Sequence, residues 1–128
     1  IPLFAAFDKD LNKGRVFSYD VTGGRYEEHD YYAVGSGSIF AKSSLKKMYS
    51  ENLDEQTAIR ISLESLYDAA EEDSATAGID LTREIYPVVS IVNAEGYKRI
   101  NDSKLNEIAT KIFSERKNRP DGPIARMS

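Results

Sequence analysis

Four carboxylates followed by small hydroxyl residues form the segment of the sequence best suited to chemistry. Asp68, Glu71, Glu72 and Asp73 lie at the predicted end of a helix, and Ser74-Ala75-Thr76-Ala77-Gly78 follows directly. Negative charges at that end oppose the helix dipole, at a cost of a few tenths to about 1 kcal/mol each. The general expectation for such a run is a solvated acidic surface. The alternative is that Asp73 points inward at a cationic partner, because small hydroxyl side chains allow close approach and donate hydrogen bonds to carboxylates.

A second candidate is the segment Gly35-Ser36-Gly37-Ser38, which lies between a predicted strand and a predicted helix. Backbone N–H groups at a helix N-terminus can bind an anion. The segment nevertheless lacks the Lys-Ser/Thr ending of a Walker loop and the third glycine of a dinucleotide fingerprint. A turn whose serine hydroxyls cap the helix is the simpler interpretation. A serine between glycines could instead bring its hydroxyl to a catalytic centre.

Composition excludes several classes of site. The 128 residues are 41% hydrophobic and 30% charged, as expected of one globular domain. A formal charge of -4 argues against a nucleic-acid binder. The absence of cysteine excludes disulfides, thiolate metal sites and a cysteine nucleophile, and a single histidine, His29, argues against a histidine metal site or a His-based triad. No apolar run approaches the roughly 18 residues that span a bilayer.

Hydrophobic periodicity predicts the strands that precede these two segments. Leu3–Phe7 is a short apolar run, and Arg15–Asp20 alternates polar and apolar residues as a half-buried strand does. The turn Thr22-Gly23-Gly24 joins it to the tyrosine-rich return strand Arg25–Val34. We therefore expect an antiparallel hairpin here.

Helices are predicted over Ile39–Ser50 and over Asp54–Asp73, with Asp54 as the N-cap of the second. The β-branched run Ile85–Val92 predicts a buried strand, Tyr97–Ile100 a short partner strand, and Ser103–Lys117 a third helix. The order β-β-β-α-α-β-β-α predicts an α+β fold with antiparallel sheets. The apolar stripe expected on the second helix consists of Ile59, Leu63, Leu66 and Ala70, and that on the third consists of Leu105, Ile108, Ala109, Ile112 and Phe113.

Two segments together carry a resemblance to a known family. Tyr32–Ser50, with the sequence YAVGSGSIFAKSSLKKMYS, and Leu66–Thr76, with the sequence LYDAAEEDSAT, resemble the proteasome β-subunit, particularly the actinobacterial type. The spacing agrees as well, because a helix pair separates the two motifs in that family. The resemblance covers about residues 1–117.

The resemblance implies the four-layer αββα sandwich of N-terminal-nucleophile hydrolases and a threonine-type endopeptidase that needs no cofactor and no metal. In that family the hydroxyl of an N-terminal threonine attacks the peptide bond, and its free amine acts as the base, so no histidine is required. Ser36, Asp73 and Thr76 match the residues that support this threonine. The resemblance assigns Ser36 to a hydrogen bond near the amine, Asp73 to the network that holds it, and Thr76 to a second hydroxyl position there.

The sequence departs from the family pattern in two ways. Ala77 stands where glycine is usual, which a negative φ would allow. Nothing matches the amino-terminal half of the family, and Ile1 has no hydroxyl, so we expect this chain to be a truncated, C-terminal part that is inactive alone. On this interpretation residues 1–117 are that part of the domain and residues 118–128 a flexible tail.

The resemblance further implies a subunit of the 20S core particle that serves ATP-dependent intracellular protein degradation. The expected partners are other β-subunits in a heptameric ring, α-subunit rings, an ATPase activator and tagged unfolded substrates, in the cytoplasm, with no nucleic acid and no membrane. Two alternatives stay open. One is a non-catalytic structural ring subunit of the same fold, and the other is a small anion- or nucleotide-binding module built on Gly35–Ser38.

Overall fold

The computed structural model describes residues 2–125, which form three helices and two antiparallel sheets in the predicted order. The α+β class is therefore confirmed. Within these residues no helix is both long enough and apolar enough to cross a bilayer. The elements are β1 (Leu3–Asp8), β2 (Lys13–Tyr19), β3 (Arg25–Glu28), α1 (Ser38–Met48), α2 (Glu55–Glu72), β4 (Ser90–Asn93), β5 (Gly96–Arg99) and α3 (Asp102–Asn118).

The first sheet has the order β1-β2-β3, with both pairs antiparallel. The Asp20 carboxylate organises the turn between β2 and β3 by accepting from the backbone N–H groups of Thr22 and Gly24. The return strand is shorter than predicted, since it ends at Glu28 rather than near Val34. Beyond that point the chain leaves the sheet and runs towards α1.

The second sheet is the β4-β5 hairpin, and its first strand also begins later than predicted. Ile85 forms only an isolated bridge, with two backbone hydrogen bonds to Asp80. Pro87 follows and has no N–H to donate, so a continuous ladder from Ile85 is interrupted there. Regular pairing starts at Ser90, opposite Arg99.

Helices α1 and α2 form an antiparallel pair joined by a short connection. The Asp54 carboxylate accepts from the Thr57 N–H at 2.7 Å, which confirms the predicted N-cap of α2. The prediction for α1 was wrong, because its N-cap is Gly37 and no side chain caps it. The Ser36 hydroxyl is directed at another partner instead.

The core lies where α2 and α3 pack together. Leu63 and Ile112 are completely buried. The predicted stripe on α2 is only partly correct, because Leu66 is 37% exposed whereas Ala69 is buried. A single stripe cannot describe α2, since the helix packs against α1 on one side and against α3 on another. The buried members of the main cluster are Ile59, Leu63, Ile100, Leu105, Ile108 and Ile112.

A buried arginine joins α3 to α2. Arg116 donates to Glu64 Oε1 from two nitrogens, at 2.9 and 3.1 Å, and to Asp68 Oδ1 at 2.6 Å. Its guanidinium also lies over the Tyr67 ring, 4.5 Å from the ring centre. Two carboxylates thus compensate a cation that would otherwise be costly to bury.

The segment after α3 returns over this arginine. Arg116 donates to the backbone oxygen of Pro120 at 3.1 Å, and a Cβ at Gly122 would lie 2.7 Å from the guanidinium. Lys47 of α1 donates to the backbone oxygen of Asp121. That residues 118–128 form a flexible tail stays a prediction, and Arg126–Ser128 lie outside the described residues.

The core contribution of α2 can be tested with two of its leucines. Leu63→Ala removes a completely buried side chain and is expected to lower the free energy of unfolding by about 2–5 kcal/mol. Leu66→Ala alters a side chain that is 37% exposed and is the matched control. Equal losses in chemical denaturation would contradict the orientation of α2.

Candidate functional site

The structure brings the three predicted site residues together. Ser36 lies in the turn that precedes α1, Asp73 is the C-cap of α2, and Thr76 lies in the turn that follows. Ser36 donates its hydroxyl proton to Asp73 Oδ2 at 2.6 Å, and Thr76 donates to the same oxygen at 2.7 Å. Two hydroxyls thus converge on one carboxylate oxygen. Their role in catalysis stays a prediction.

Asp73 holds this position because its backbone ends the helix and begins the turn. Its N–H donates to the carbonyl of Ala69 at 2.8 Å, the last bond of α2, while its own extended backbone turns the chain away. Its carbonyl accepts from the Thr76 N–H at 3.0 Å, and its Oδ1 accepts from the Ala75 N–H at 3.2 Å. The side chain therefore organises the turn that delivers Thr76.

The two glycines of the first motif serve different purposes. Gly35 has a φ of +106°, which residues with a side chain rarely adopt. Gly37 leaves space for the neighbouring turn, because a Cβ there would lie 2.5 Å from Thr76 Oγ1 and 3.3 Å from Asp73 Oδ2. The start of α1 can approach the end of α2 only because position 37 has no side chain.

The electrostatic setting keeps Asp73 ionised. The hydrogen bond from Ser36, reinforced by those from Thr76 and the Ala75 N–H, lowers the pKa of Asp73 from its ordinary value of 3.8, whereas desolvation opposes them. The carboxylate also lies against Gly37, at the positive end of the α1 dipole. Among residues 2–125 no cationic side chain lies within ion-pair distance of it. Within the described chain its donors are two hydroxyls and the Ala75 N–H, and its cationic partner stays a prediction.

The four carboxylates at the end of α2 do not form one uniform surface. Glu71 and Glu72 are exposed, as the general expectation has it. Asp73 turns towards Ser36, and Asp68 pairs with Arg116. This ion pair was not predicted, because its residues are 48 positions apart.

A signal for the buried arginine was nevertheless present in the sequence. Arg116 follows Ile112 by four residues, so it continues the apolar stripe of α3. A charged residue on a buried stripe requires a partner of opposite charge.

The structure also shows where His29 and Ala77 lie. His29 is exposed in a bend after β3. Ala77 is not among the residues with positive φ, so its methyl group is accommodated.

The anion-binding alternative at Gly35–Ser38 is disfavoured, because the Asp73 carboxylate already lies against that helix end and would repel a phosphate. Within residues 2–125 no group of three or more acidic or histidine side chains is arranged to hold a metal ion.

A cleft of about 540 Å³ lies elsewhere, between α1, α2 and the segment after α3. Phe40, Tyr67 and Asp121 are among its lining residues, and Ser36, Asp73 and Thr76 are not. Asp73 and its two donors are instead at the surface, where Ser36 is exposed. Asp73 can accept further donors there, because a carboxylate has about four acceptor positions.

A family model described as "Proteasome subunit" matches residues 1–82, a range that contains Ser36, Asp73 and Thr76. The chain is 52% identical over 125 residues to "Proteasome subunit beta" of Streptomyces griseus subsp. griseus, 50% over 129 residues to that of Acidothermus cellulolyticus, and 47% over 125 residues to that of Streptosporangium roseum. Each match covers 98% of this chain and 44% of the relative. The chain thus spans less than half the length of these relatives.

The hydrogen bond from Ser36 predicts a measurable titration. Ser36→Ala is expected to raise the pKa of Asp73 towards its ordinary value, followed through the carboxyl ¹³C shift as a function of pH. Because the folded pKa is lowered, the stabilisation is present above the unfolded pKa and is lost as the pH falls through the folded pKa. The stability difference between wild type and variant should therefore shrink in acid. Ser74→Ala, in the same turn but without a hydrogen bond to Asp73, is the control.

The close approach at Gly37 predicts a steric effect. Gly37→Ala would place a methyl group against Thr76, and we expect a loss of about 1–3 kcal/mol in the free energy of unfolding. Gly14 has open space around it and no positive φ, so Gly14→Ala should leave stability unchanged or slightly higher. Equal effects of the two substitutions in denaturant titrations would contradict the packing of α1 on α2.

Proposed function

The chain belongs to the proteasome subunit family, and we propose that it forms part of a catalytic β-subunit of the 20S core particle, a threonine-type endopeptidase. The observation that carries the proposal is the convergence of Ser36 and Thr76 on the Asp73 carboxylate. The threonine nucleophile would belong to the remainder of a longer protein, since the chain spans 44% of its relatives.

In the proposed reaction the hydroxyl oxygen of an N-terminal threonine adds to the carbonyl carbon of a peptide bond. The free amine of the same threonine accepts the hydroxyl proton and becomes an ammonium group. That proton then passes to the departing peptide nitrogen as its bond to carbon breaks. Water hydrolyses the resulting acyl ester and restores the threonine hydroxyl.

The described residues suit the support of such an ammonium group. Asp73 is ionised at neutral pH, since its pKa lies below the ordinary value of 3.8, and it has acceptor positions that Ser36, Thr76 and Ala75 do not fill. Ser36 gives its one proton to Asp73, so its oxygen can accept from a second donor. An ammonium group beside this pair would make charge-assisted hydrogen bonds, which are about twice as strong as neutral ones.

Assembly into rings belongs to the same proposal. The β-subunit would join other β-subunits in a heptameric ring, flanked by α-subunit rings and served by an ATPase activator that delivers tagged unfolded proteins in the cytoplasm. The names of the relatives support the ring-forming role. Large exposed apolar side chains, which include Ile39, Val88 and Tyr97, are compatible with subunit contacts.

The experiment is a peptidase assay of assembled particles that contain the complete subunit. Thr→Ala at the processed N-terminus should abolish hydrolysis. Asp73→Asn should lower kcat/KM by about 10²-fold or more, because it removes the charge that balances the ammonium group. Glu72→Gln changes the preceding carboxylate, which is exposed and makes no ion pair within residues 2–125, and should leave the rate unchanged.

Assembled rings without hydrolysis that depends on the threonine would contradict the catalytic proposal. That result would favour the alternative, a non-catalytic structural ring subunit of the same fold. Loss of rate with Glu72→Gln equal to that with Asp73→Asn would instead remove Asp73 from its proposed role.

A further inference from the structure

A second polar contact joins α1 to α2 inside the helix pair. Ser44 is buried and donates its hydroxyl proton to Asp68 Oδ2 at 2.7 Å. This contact repeats the pairing at the end of the helices, where Ser36 donates to Asp73. In each case a serine from the α1 side meets an aspartate from the α2 side. The two aspartates are separated by about one and a half helical turns of α2.

The Ser44–Asp68 contact, the inner one, is held by a cation, Arg116. Among residues 2–125 the Ser36–Asp73 contact, the outer one, has no cationic partner. Arg116 binds Asp68 Oδ1 at 2.6 Å and Oδ2 at 3.3 Å, so both carboxylate oxygens are held. Glu64 and the backbone oxygen of Pro120 hold the guanidinium in turn. Asp68 therefore cannot rotate away from Ser44 without losing hydrogen bonds to a buried cation.

Net stability alone does not account for this arrangement. The side chains of Arg116 and Glu64 are only 3% and 2% exposed. Burying such charges costs desolvation, and well-packed apolar residues are often as stabilising or more so. The ion pairs of Arg116 with Glu64 and Asp68 do fix the orientation of these side chains, because a planar guanidinium donates to carboxylates in a defined geometry.

The orientation of α1 on α2 matters because the Ser36–Asp73 contact tolerates little displacement of α1. The Ser36 hydroxyl oxygen lies 2.6 Å from Asp73 Oδ2, so a shift of α1 away from α2 would break this hydrogen bond. The approach on the other side is close as well, since a Cβ at position 37 would lie 2.5 Å from Thr76 Oγ1 and 3.3 Å from Ala69 Cβ. The position of α1 along α2 thus sets the geometry of the Asp73 carboxylate.

We propose that Ser44, Asp68 and Arg116 are positioning residues that hold α1 in register on α2 and thereby hold Ser36 on Asp73. The inference rests on the proposed function, since it concerns the residues that would support the threonine amine. None of the three touches substrate in this proposal. They act through the helix pair.

The test compares two neighbouring serines in the complete subunit, assembled into particles. Ser44→Ala removes the inner hydrogen bond and leaves Asp68 bound to Arg116, so the fold should survive. Ser43→Ala is the matched control, because Ser43 is exposed and donates no hydrogen bond within residues 2–125. Arg116→Lys is the second variant, which keeps the charge but loses the planar fork.

Two measurements are made on each variant. Hydrogen exchange over residues 74–76 reports the turn directly, since the Ala75 N–H donates to Asp73 Oδ1 and the Thr76 N–H to its carbonyl. The pH profile of peptide hydrolysis reports the ionisation of the threonine amine, which is the base in the proposed reaction, independently of the amount of folded particle. For Ser44→Ala we expect faster exchange and a loss of kcat on the order of tenfold with KM little changed. The acid limb should move to lower pH, because a displaced Asp73 carboxylate stabilises the ammonium form of the threonine amine less. Arg116→Lys should act in the same direction and Ser43→Ala should match wild type.

Three outcomes are distinguishable. The positioning role would be overturned if Ser44→Ala and Ser43→Ala showed the same hydrogen exchange over residues 74–76 and the same acid limb in the pH profile. This holds even if Ser44→Ala lowered the melting temperature. Faster exchange in Ser44→Ala together with the altered pH profile would support it. In the third outcome, exchange is faster in Ser44→Ala but wild-type particles show no threonine-dependent hydrolysis. That result would support the coupling between Ser44 and the turn, and it would overturn the catalytic function proposed above.

Discussion

The hydrogen bond from Ser36 to Asp73 depends on how closely the start of α1 approaches the end of α2. A side chain at position 37 would occupy the space of the Thr76 hydroxyl, so glycine there is a steric requirement. Ala69 continues the same contact on α2 and is fully buried. The C-cap of α2 then places Asp73 at the positive end of α1. The close approach of the two helix ends thus places the Asp73 carboxylate.

The remainder of the fold supports this helix pair from the other side. Leu63 and Ile112 make the apolar contact between α2 and α3, and Arg116 adds a directional one near the end of the same helix. The segment after α3 closes over the guanidinium, where Gly122 again has no space for a side chain. Gly37 and Gly122 both occur where a polar side-chain group lies directly against the backbone.

Local signals predicted the elements well and their limits less well. Asp54 caps α2 as expected, because an N-cap needs only a side chain and the N–H three residues later. The strand expected over Arg25–Val34 ends at Glu28, since its length depends on how far β2 pairs with it. The serine cap expected for α1 is replaced by Gly37, because Ser36 has a charged acceptor that lies 37 residues away.

Residue types and spacing were enough to single out Ser36, Asp73 and Thr76, and the family resemblance added the chemistry that such residues support. They also indicated the α+β class, because periodicity is a property of consecutive residues. The partners of Asp68 and Asp73 were decided only by tertiary structure. Asp68 and Asp73 stand on one helix five residues apart, yet one pairs with Arg116 and the other with two hydroxyls. The physical reason is that α2 presents them to different neighbours, and the packing of α1 and α3 determines which donor each one meets.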